Sequence, residues 1–253
     1  MAGITRRGLI KGAALTAPAL ILPGCDALGA STSFRDLVLG TGEWLSYRVQ
    51  RLIGGQALAR EFDPSEMSPN FRTNGNVAGD SEDWLRHAGT GFADWRLAVG
   101  GLVDTSGSFS LDDLRAMPAR SQITRHDCVE GWSAIGKWTG VPLAHLLGLV
   151  GLKPEARYIV FRCADTFRGT PYYESIDLVD AHHPQTILAY GMNDGVLPVG
   201  HGAPLRLRVE RQLGYKQAKF IMRIEAVASL GGIGQGKGGF WEDVAGYEWY
   251  AGI

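Results

Sequence analysis

Between residues 156 and 229 the chain carries a series of strand signals. "ARYIVFRCAD" (156–165), "QTILAYGMNDGVLPV" (185–199), "PLRLRVE" (204–210) and "KFIMRIEAVAS" (219–229) are rich in β-formers or switch regularly between apolar and polar residues. A period of two sends successive side chains to opposite faces, which suits a strand and not a helix with one apolar stripe. In the second run Asn193-Asp194-Gly195 separates two β-forming halves, and such a triplet tolerates the left-handed backbone of a tight hairpin. "PLRLRVE" and "KFIMRIEAVAS" each read as a strand with one buried and one wet face. Upstream, "DWRLAVGGLVD" (94–104) carries the same alternation at Trp95, Leu97 and Val99.

The helical signals are short by comparison. "FRDLVLGTGEWLSYRVQRLIG" repeats apolar residues at three- and four-residue steps, which predicts a helix from about residue 31. "SFSLDDLRAMP" offers Ser110 as N-cap, Asp113 three residues on and Pro118 as the stop. "VPLAHLLGLVGL" starts a further short helix, with Pro142 where a first turn tolerates it. "FDPSEMSPNFRTNGN" is broken by Pro64, Pro69 and Gly75 and reads as irregular. The 35 glycines favour turns and loops over a helical bundle. The expected class is α+β: a single domain over 31–253 with strand- and loop-rich mixed β-sheets and short helices. The glycine-rich stretch 231–239 reads as a loop, and the aromatic tail "GYEWYAGI" as packed back on the body.

At 45% hydrophobic and 20% charged, the composition is that of a globular protein with a sizeable core. The net charge of -1 gives no reason to expect a nucleic-acid partner. The first thirty residues stand apart. Arg6 and Arg7 precede a short apolar stretch that ends at Pro23-Gly24-Cys25. That stretch is short of the roughly 20 residues a membrane span needs. A basic start with a short apolar core reads as a signal peptide over 1–30, and Arg6-Arg7-x-Leu9-Ile10-Lys11 resembles the twin-arginine motif. Export to the periplasm follows from that reading. Leu22-Pro23-Gly24-Cys25 resembles a lipobox with an atypical proline, so a lipid anchor on Cys25 and simple cleavage nearby both stay open.

Cys128 and Cys163 remain in the mature part. Composition leaves three readings of Cys128: a buried thiol, half of a disulfide, or a metal ligand. Zinc takes about three or four ligands, which His126, Cys128, His182 and His183 could supply, but His126-x-Cys128 is tight and no Cys-x-x-Cys pair exists. A cysteine nucleophile needs a histidine base and an orienting group, and no local signature of one is present.

The stretch "HDCVEGWSAIGKWTGVPLAHLL" narrows this. Cys128-Val129-Glu130-Gly131-Trp132-Ser133, then Trp138-Thr139-Gly140 and Val141-Pro142-Leu143, closely resembles the molybdenum-ligand segment of the sulfite oxidase superfamily, in particular its exported bacterial members. "PNFRTNG" resembles an upstream segment of that family and "HGAPLRLRVERQLGYKQAKFI" a downstream one. The resemblance implies a molybdenum–molybdopterin cofactor (Mo-molybdopterin) with Cys128 as the metal ligand, a soft thiolate on a thiophilic metal. Glu130 and Trp132 would fix the loop that aims the sulfur. His201, Arg206, Gln217, Ala218 and Lys219 match positions that hold the cofactor's phosphate, which needs charge-assisted hydrogen bonds when buried. Asn70, Phe71, Arg72 and Asn74 fall where the family contacts the pterin. Cys163 falls at a pocket-lining position, or is a small buried strand residue. A cofactor loaded before export argues against a Cys128–Cys163 disulfide.

The implied activity is oxygen-atom transfer, either sulfite-type oxidation or reduction of an S- or N-oxide, on a small-molecule or protein-bound oxyanion or sulfoxide. His126, Asp165, His182, His183 and Tyr190 are substrate-side candidates, with His126 the leading one. Arg125, Arg162 and Arg168 could build an anion pocket for sulfite. With no Cys-x-x-Cys-His haem motif, electrons must pass to or from a separate protein, a membrane b-type or soluble c-type cytochrome. The rival reading is a periplasmic binding or assembly protein of the same fold without turnover.

Overall fold

The computed structural model describes residues 30–54 and 57–253. The signal-peptide and lipobox readings, at Arg6, Arg7 and Cys25, lie outside the described residues. The chain divides into two compact units, one ending at Gly54 and one running from Gly55 to Ile253. The first contributes α1 (Thr32–Gly54), the long helix its three-and-four spacing predicts.

In the second unit, two five-stranded sheets carry the architecture. The first runs β2 (Gly107–Ser110), β1 (Arg96–Gly101), β10 (Ile221–Val227), β5 (Tyr158–Phe167), β6 (Thr170–Asp177). Its β1 and β10 are parallel and its other pairs antiparallel, so it is mixed. The second is antiparallel: β3 (Arg120–Asp127), β4 (Ser133–Pro142), β7 (Ile187–Met192), then β8 (Gly195–Val196) and β9 (Arg206–Arg208), both paired to β7. Short helices join them: α2 (Glu82–Gly89), α3 (Leu111–Ala116), α4 (Leu143–Val150), α5 (Leu178–Ala181) and α6 (Phe240–Ala245). The fold is the α+β domain expected.

Local chemistry accounts for each piece. In β1 the alternation buries Leu97 and Val99 while Arg96 and Ala98 face out. Ser110 caps α3: its hydroxyl accepts from Asp113 N at 3.0 Å and Asp113 accepts from Ser110 N at 2.8 Å. Pro142 stands at the N-cap of α4, one position before the first turn, and the helix stops at Gly151 with φ +66°. Asn193 and Asp194 both take positive φ, 50° and 63°, and close the β7–β8 hairpin. Segment 62–76 holds only the single turn Pro64–Glu66 of 3-10 helix. The tail folds back as expected, with Leu213 N donating to Ala251 O and Ile253 N to Arg211 O.

The main core gathers Leu97, Val99, Phe161 and Ile224 of the first sheet, Leu143, Leu146 and Leu147 of α4, and Val141, Leu188 and Leu207 of the second. One expectation fails. Residues 204–210 were to show one wet face, yet Arg206, Leu207 and Arg208 are all buried. The arginines face inward because β9 is covered on both sides: its leucines enter the core and its arginines lie against Trp138.

Gly140 shows how tightly β4 and β7 approach at their register shift. A Cβ there would lie 2.1 Å from Leu188 O, a backbone atom that cannot swing away. Gly140→Ala is expected to destabilise the domain by about 3 kcal/mol, the upper end of overpacking costs, measured by urea unfolding. An unchanged midpoint would contradict that approach.

Candidate functional site

The loop after β3 is built to present a sulfur. Cys128 N donates to Trp132 O and Gly131 N to Cys128 O, both at 2.9 Å, and Gly131 takes φ +85°, which a side chain would strain. Cys128 stays 8% exposed. Its Sγ accepts from Asn74 Nδ2 at 3.2 Å and from Glu130 N at 3.5 Å. Glu130 accepts in turn from Trp132 Nε1 at 3.1 Å and faces Arg72 at 3.8 Å, so the three side chains brace one another above the sulfur's loop.

Cys128 opens on a cavity of about 310 Å³. Phe71, Arg72, Asn74 and Asn76 line it from the irregular segment, His126 and Asp165 from β3 and β5, and His201, Arg206, Gln217 and Lys219 from the segment around β9. A second wall is aromatic: Trp132, Phe167, Tyr172, Tyr215, Trp241 and Tyr247.

The polar wall carries uncompensated positive charge. Arg206 Nη1 donates to His201 O at 2.9 Å and Nη2 to Gln217 O at 3.5 Å, while its Nε, though buried, has no partner. Lys219 Nζ donates to three carbonyls, those of Asn74, Asn76 and Gly200. Neither cation has a carboxylate in an ion pair among the described residues. Burial, aided by the repulsion of Arg208, lowers Arg206 to about 9, and burial with Arg206 nearby lowers Lys219 to about 8. The same causes hold His201 at about 4. Burial, with Arg208 and Arg206 alongside, keeps His126 well below the usual histidine range. Two buried acceptors, Gln217 Oε1 and Asp165 Oδ1, are also without partners. Burial raises the Asp165 carboxyl, although its Oδ2 accepts from Asn76 Nδ2 at 2.8 Å.

Some expected residues lie elsewhere. Asn70 is exposed and off the cavity, one residue short of the segment that bends inward at Phe71. Cys163 packs against the main core instead of lining the cavity, in the stretch where β5 shifts register between Arg162 and Thr166. Burial pushes its thiol up. Ala218 turns its methyl into the core between Gln217 and Lys219, and its carbonyl accepts from Leu207 N. His182 and His183 sit after α5, bonded to Leu178 O and Ala57 O, and Tyr190 packs on the core. None of the three lines the cavity. Among the described residues no three His, Cys, Asp or Glu gather as a metal-ligand set, and Cys128 and Cys163 are both free thiols. Arg125 pairs with Asp127 and Arg162 with Glu225, and these two and Arg168 are absent from the lining.

Reading the sequence missed Asn76 and most of the aromatic wall. The second asparagine of "TNGN" was a signal for the first. The tail's aromatics gave none beyond a general need for cover.

Residues 87–230 match the family described as the oxidoreductase molybdopterin binding domain. The protein YedZ1 of Azospira oryzae, provisionally named a protein-methionine-sulfoxide reductase subunit, is 41% identical over 197 residues, which are 76% of this chain and 70% of that protein. The protein-methionine-sulfoxide reductase catalytic subunit MsrP of Xanthomonas axonopodis pv. citri is 33% identical over 237 residues, 89% of this chain and 70% of MsrP. Among solved structures, the sulfane dehydrogenase SoxCD of Paracoccus pantotrophus superposes with a TM-score of 0.50 at 24% identity, over 54% of this chain and 39% of that one, a likeness of fold alone. The chain therefore belongs to the family of oxidoreductases with a molybdopterin-binding domain, and it is a molybdopterin-dependent oxidoreductase of the sulfite oxidase superfamily.

Proposed function

We propose that this chain is the catalytic subunit of an exported sulfoxide reductase, acting on methionine sulfoxide with a molybdenum–molybdopterin held at Cys128. One observation carries the cofactor assignment. A cysteine sulfur and two cations without carboxylate partners, Arg206 and Lys219, open into the same cavity. The fit is chemical. Soft sulfur suits a thiophilic metal, and buried cations with spare donors suit a phosphate. Arg206 and Lys219 would hold the phosphate, with Gln217 and His201 beside them, and Asn74 would aim the sulfur. When bound, the cofactor supplies two-electron oxygen-atom transfer.

The aromatic wall supports the substrate. A sulfite pocket needs cationic residues that face the anion; the three candidate arginines are not on the cavity, and Arg72, which lines it, faces Glu130 at 3.8 Å. Trp132, Tyr172, Trp241 and Tyr247 instead offer ring surface to a neutral molecule with an apolar, sulfur-bearing body. The relatives named as methionine-sulfoxide reductase subunits support the same class. Overall, a sulfoxide, two electrons and two protons give a thioether and water. The electrons come from a separate cytochrome, consistent with the absence of a covalent haem motif. Arg6-Arg7 supports periplasmic export by the twin-arginine route. No helix among the described residues is long and apolar enough to cross a membrane.

Two measurements test this. Chain purified from a cofactor-competent host should carry about one molybdenum per chain by metal analysis. Cys128→Ser should lose methionine sulfoxide reduction by more than the ~100-fold typical of losing a ligand's supporting partner, with its circular dichroism unchanged. Full turnover in that variant, or a metal-free active enzyme, sinks the assignment. The phosphate site is tested on cofactor-free chain by calorimetric titration with inorganic pyrophosphate. Lys219→Gln should weaken binding about 10-fold, the worth of one charged hydrogen bond. Because Lys219 is charged only below about 8, the affinity of the unmodified chain should fall as the pH is raised through that value. A flat pH profile between about 7 and 9 would refute its role.

A further inference from the structure

Arg208 does not line the cavity, yet it controls a residue that does. Its side chain is fully buried, and its Nε and Nη2 form a two-pronged pair with Glu210 at 2.9 and 2.5 Å. Glu210 is itself fixed by Gln122 Nε2 at 2.8 Å. The guanidinium lies over the Trp138 ring at 4.4 Å. Held on these sides, it points Nη1 at His126 Nδ1, 3.1 Å away.

The chemistry of that contact has one solution. A guanidinium keeps its protons and has no acceptor, so Arg208 must donate. His126 Nδ1 must then present its lone pair. An imidazole with a bare Nδ1 carries its proton on Nε2. The ring is also clamped in place. A Cβ on Gly214 would meet Nε2 at 2.5 Å, and Phe71 and Trp132 flank the ring with centroids at 5.7 and 5.6 Å. Gly214 is thus required for Nε2 to be where it is.

We propose that Arg208, braced by Glu210, is a positioning residue that fixes His126 as its Nε2–H tautomer, so that the cavity beside Cys128 receives a neutral hydrogen-bond donor in a set orientation. That donor suits an acceptor atom of the bound group, a ring nitrogen or an oxygen. Gln217 Oε1, a buried acceptor without a partner, lines the same cavity and is what Nε2–H can serve when the group is absent. The role toward the cofactor rests on the molybdopterin reading, whereas the tautomer does not.

The experiment is nuclear magnetic resonance of full chain labelled with ¹⁵N-histidine, correlating ring protons with both ring nitrogens. Only six histidines contribute, and His126→Gln identifies the signal in question. The expected pattern for His126 is a protonated Nε2 and a bare Nδ1. A protonated Nδ1, alone or with Nε2, overturns the proposal without any variant having to fold. The paired variant Arg208→Gln/Glu210→Gln removes the donor without stranding a buried carboxylate. It should give a mixed tautomer and, in loaded enzyme, a kcat lowered about 10-fold with KM little changed. A pure Nε2–H signal in that variant also overturns the proposal. If the pair disrupts folding, Arg208→Lys retains the charge but loses the fork, and it should shift the tautomer too. Chain that shows the Nε2–H tautomer yet never binds molybdenum would refute the cofactor reading alone. Loaded, active enzyme with a protonated Nδ1 would refute this one alone.

Discussion

Two buried arginines over one tryptophan hold this site together. Arg206 and Arg208 are neighbours on one face of β9, and both guanidiniums lie over the ring of Trp138, at 4.8 and 4.4 Å. Taking each charge out of water costs several kcal/mol, and a cation–π contact returns about 2 kcal/mol when desolvated. For Arg208 the pair with Glu210 offsets the rest. Arg206 has only two carbonyls, the longer contact at 3.5 Å, and an idle Nε. Such an unbalanced cation is one that a buried anion would complete. Trp138 carries that requirement to the sulfur. Phe71 packs edge-on against it at 5.3 Å, and Phe71 leads into the segment whose Asn74 donates to Cys128. The Cys128 loop and β9 are therefore linked through one ring.

The two lysines of "GYKQAK" show how near residues can have opposite tasks. Lys216 is fully buried, paired with Glu174 at 2.6 Å and with Glu242. Glu174 lies on β6 and Glu242 on α6. That cluster holds α6, and with it Trp241, beside the Gly214–Gln217 turn. Burial raises the Glu174 carboxyl despite the attraction of Lys216. Lys219, three residues on, meets only carbonyls and keeps its charge for a ligand. One lysine builds the aromatic wall and the other serves the polar wall.

Much of this was legible in the sequence because it depends on local rules. Alternation located β1 and β10, richness in β-formers located β5, the Asn193-Asp194-Gly195 turn located β7 and its hairpin, and Ser110 with Asp113 marked a helix start. The motif around Cys128 located the loop, and Arg206, Gln217 and Lys219 line the cavity it faces. What escaped depends on distant packing. "PLRLRVE" has the alternation of a half-wet strand, and nothing within it reveals that Trp138 and Glu210 wait for its arginines. A shift in β5 moved Cys163 off the cavity while Asp165 stayed on it. The aromatic wall draws on the loop after β3, β5, β6, the 214–216 turn, α6 and the tail, six segments that no single window joins.

The two cysteines illustrate the difference between composition and place. As letters they are equivalent, and a pair in an exported chain invites a bridge. In the fold Cys163 is half-buried against the main core, and burial, with Asp165 and Glu174 nearby, pushes its thiol up. Cys128 receives two N–H donors, from the side chain of Asn74, 54 residues earlier in the chain, and from its own loop, and it lines a cavity that Arg206 and Lys219 also line. A sulfur so placed meets the needs of a metal bond: donors that support its negative charge, a loop too tight to let it turn away, and room for a large anionic group in front. The same cationic wall explains why His126 is best kept neutral. A further positive charge there would be repelled by Arg208 and Arg206, whereas a neutral donor adds direction to the site without adding charge.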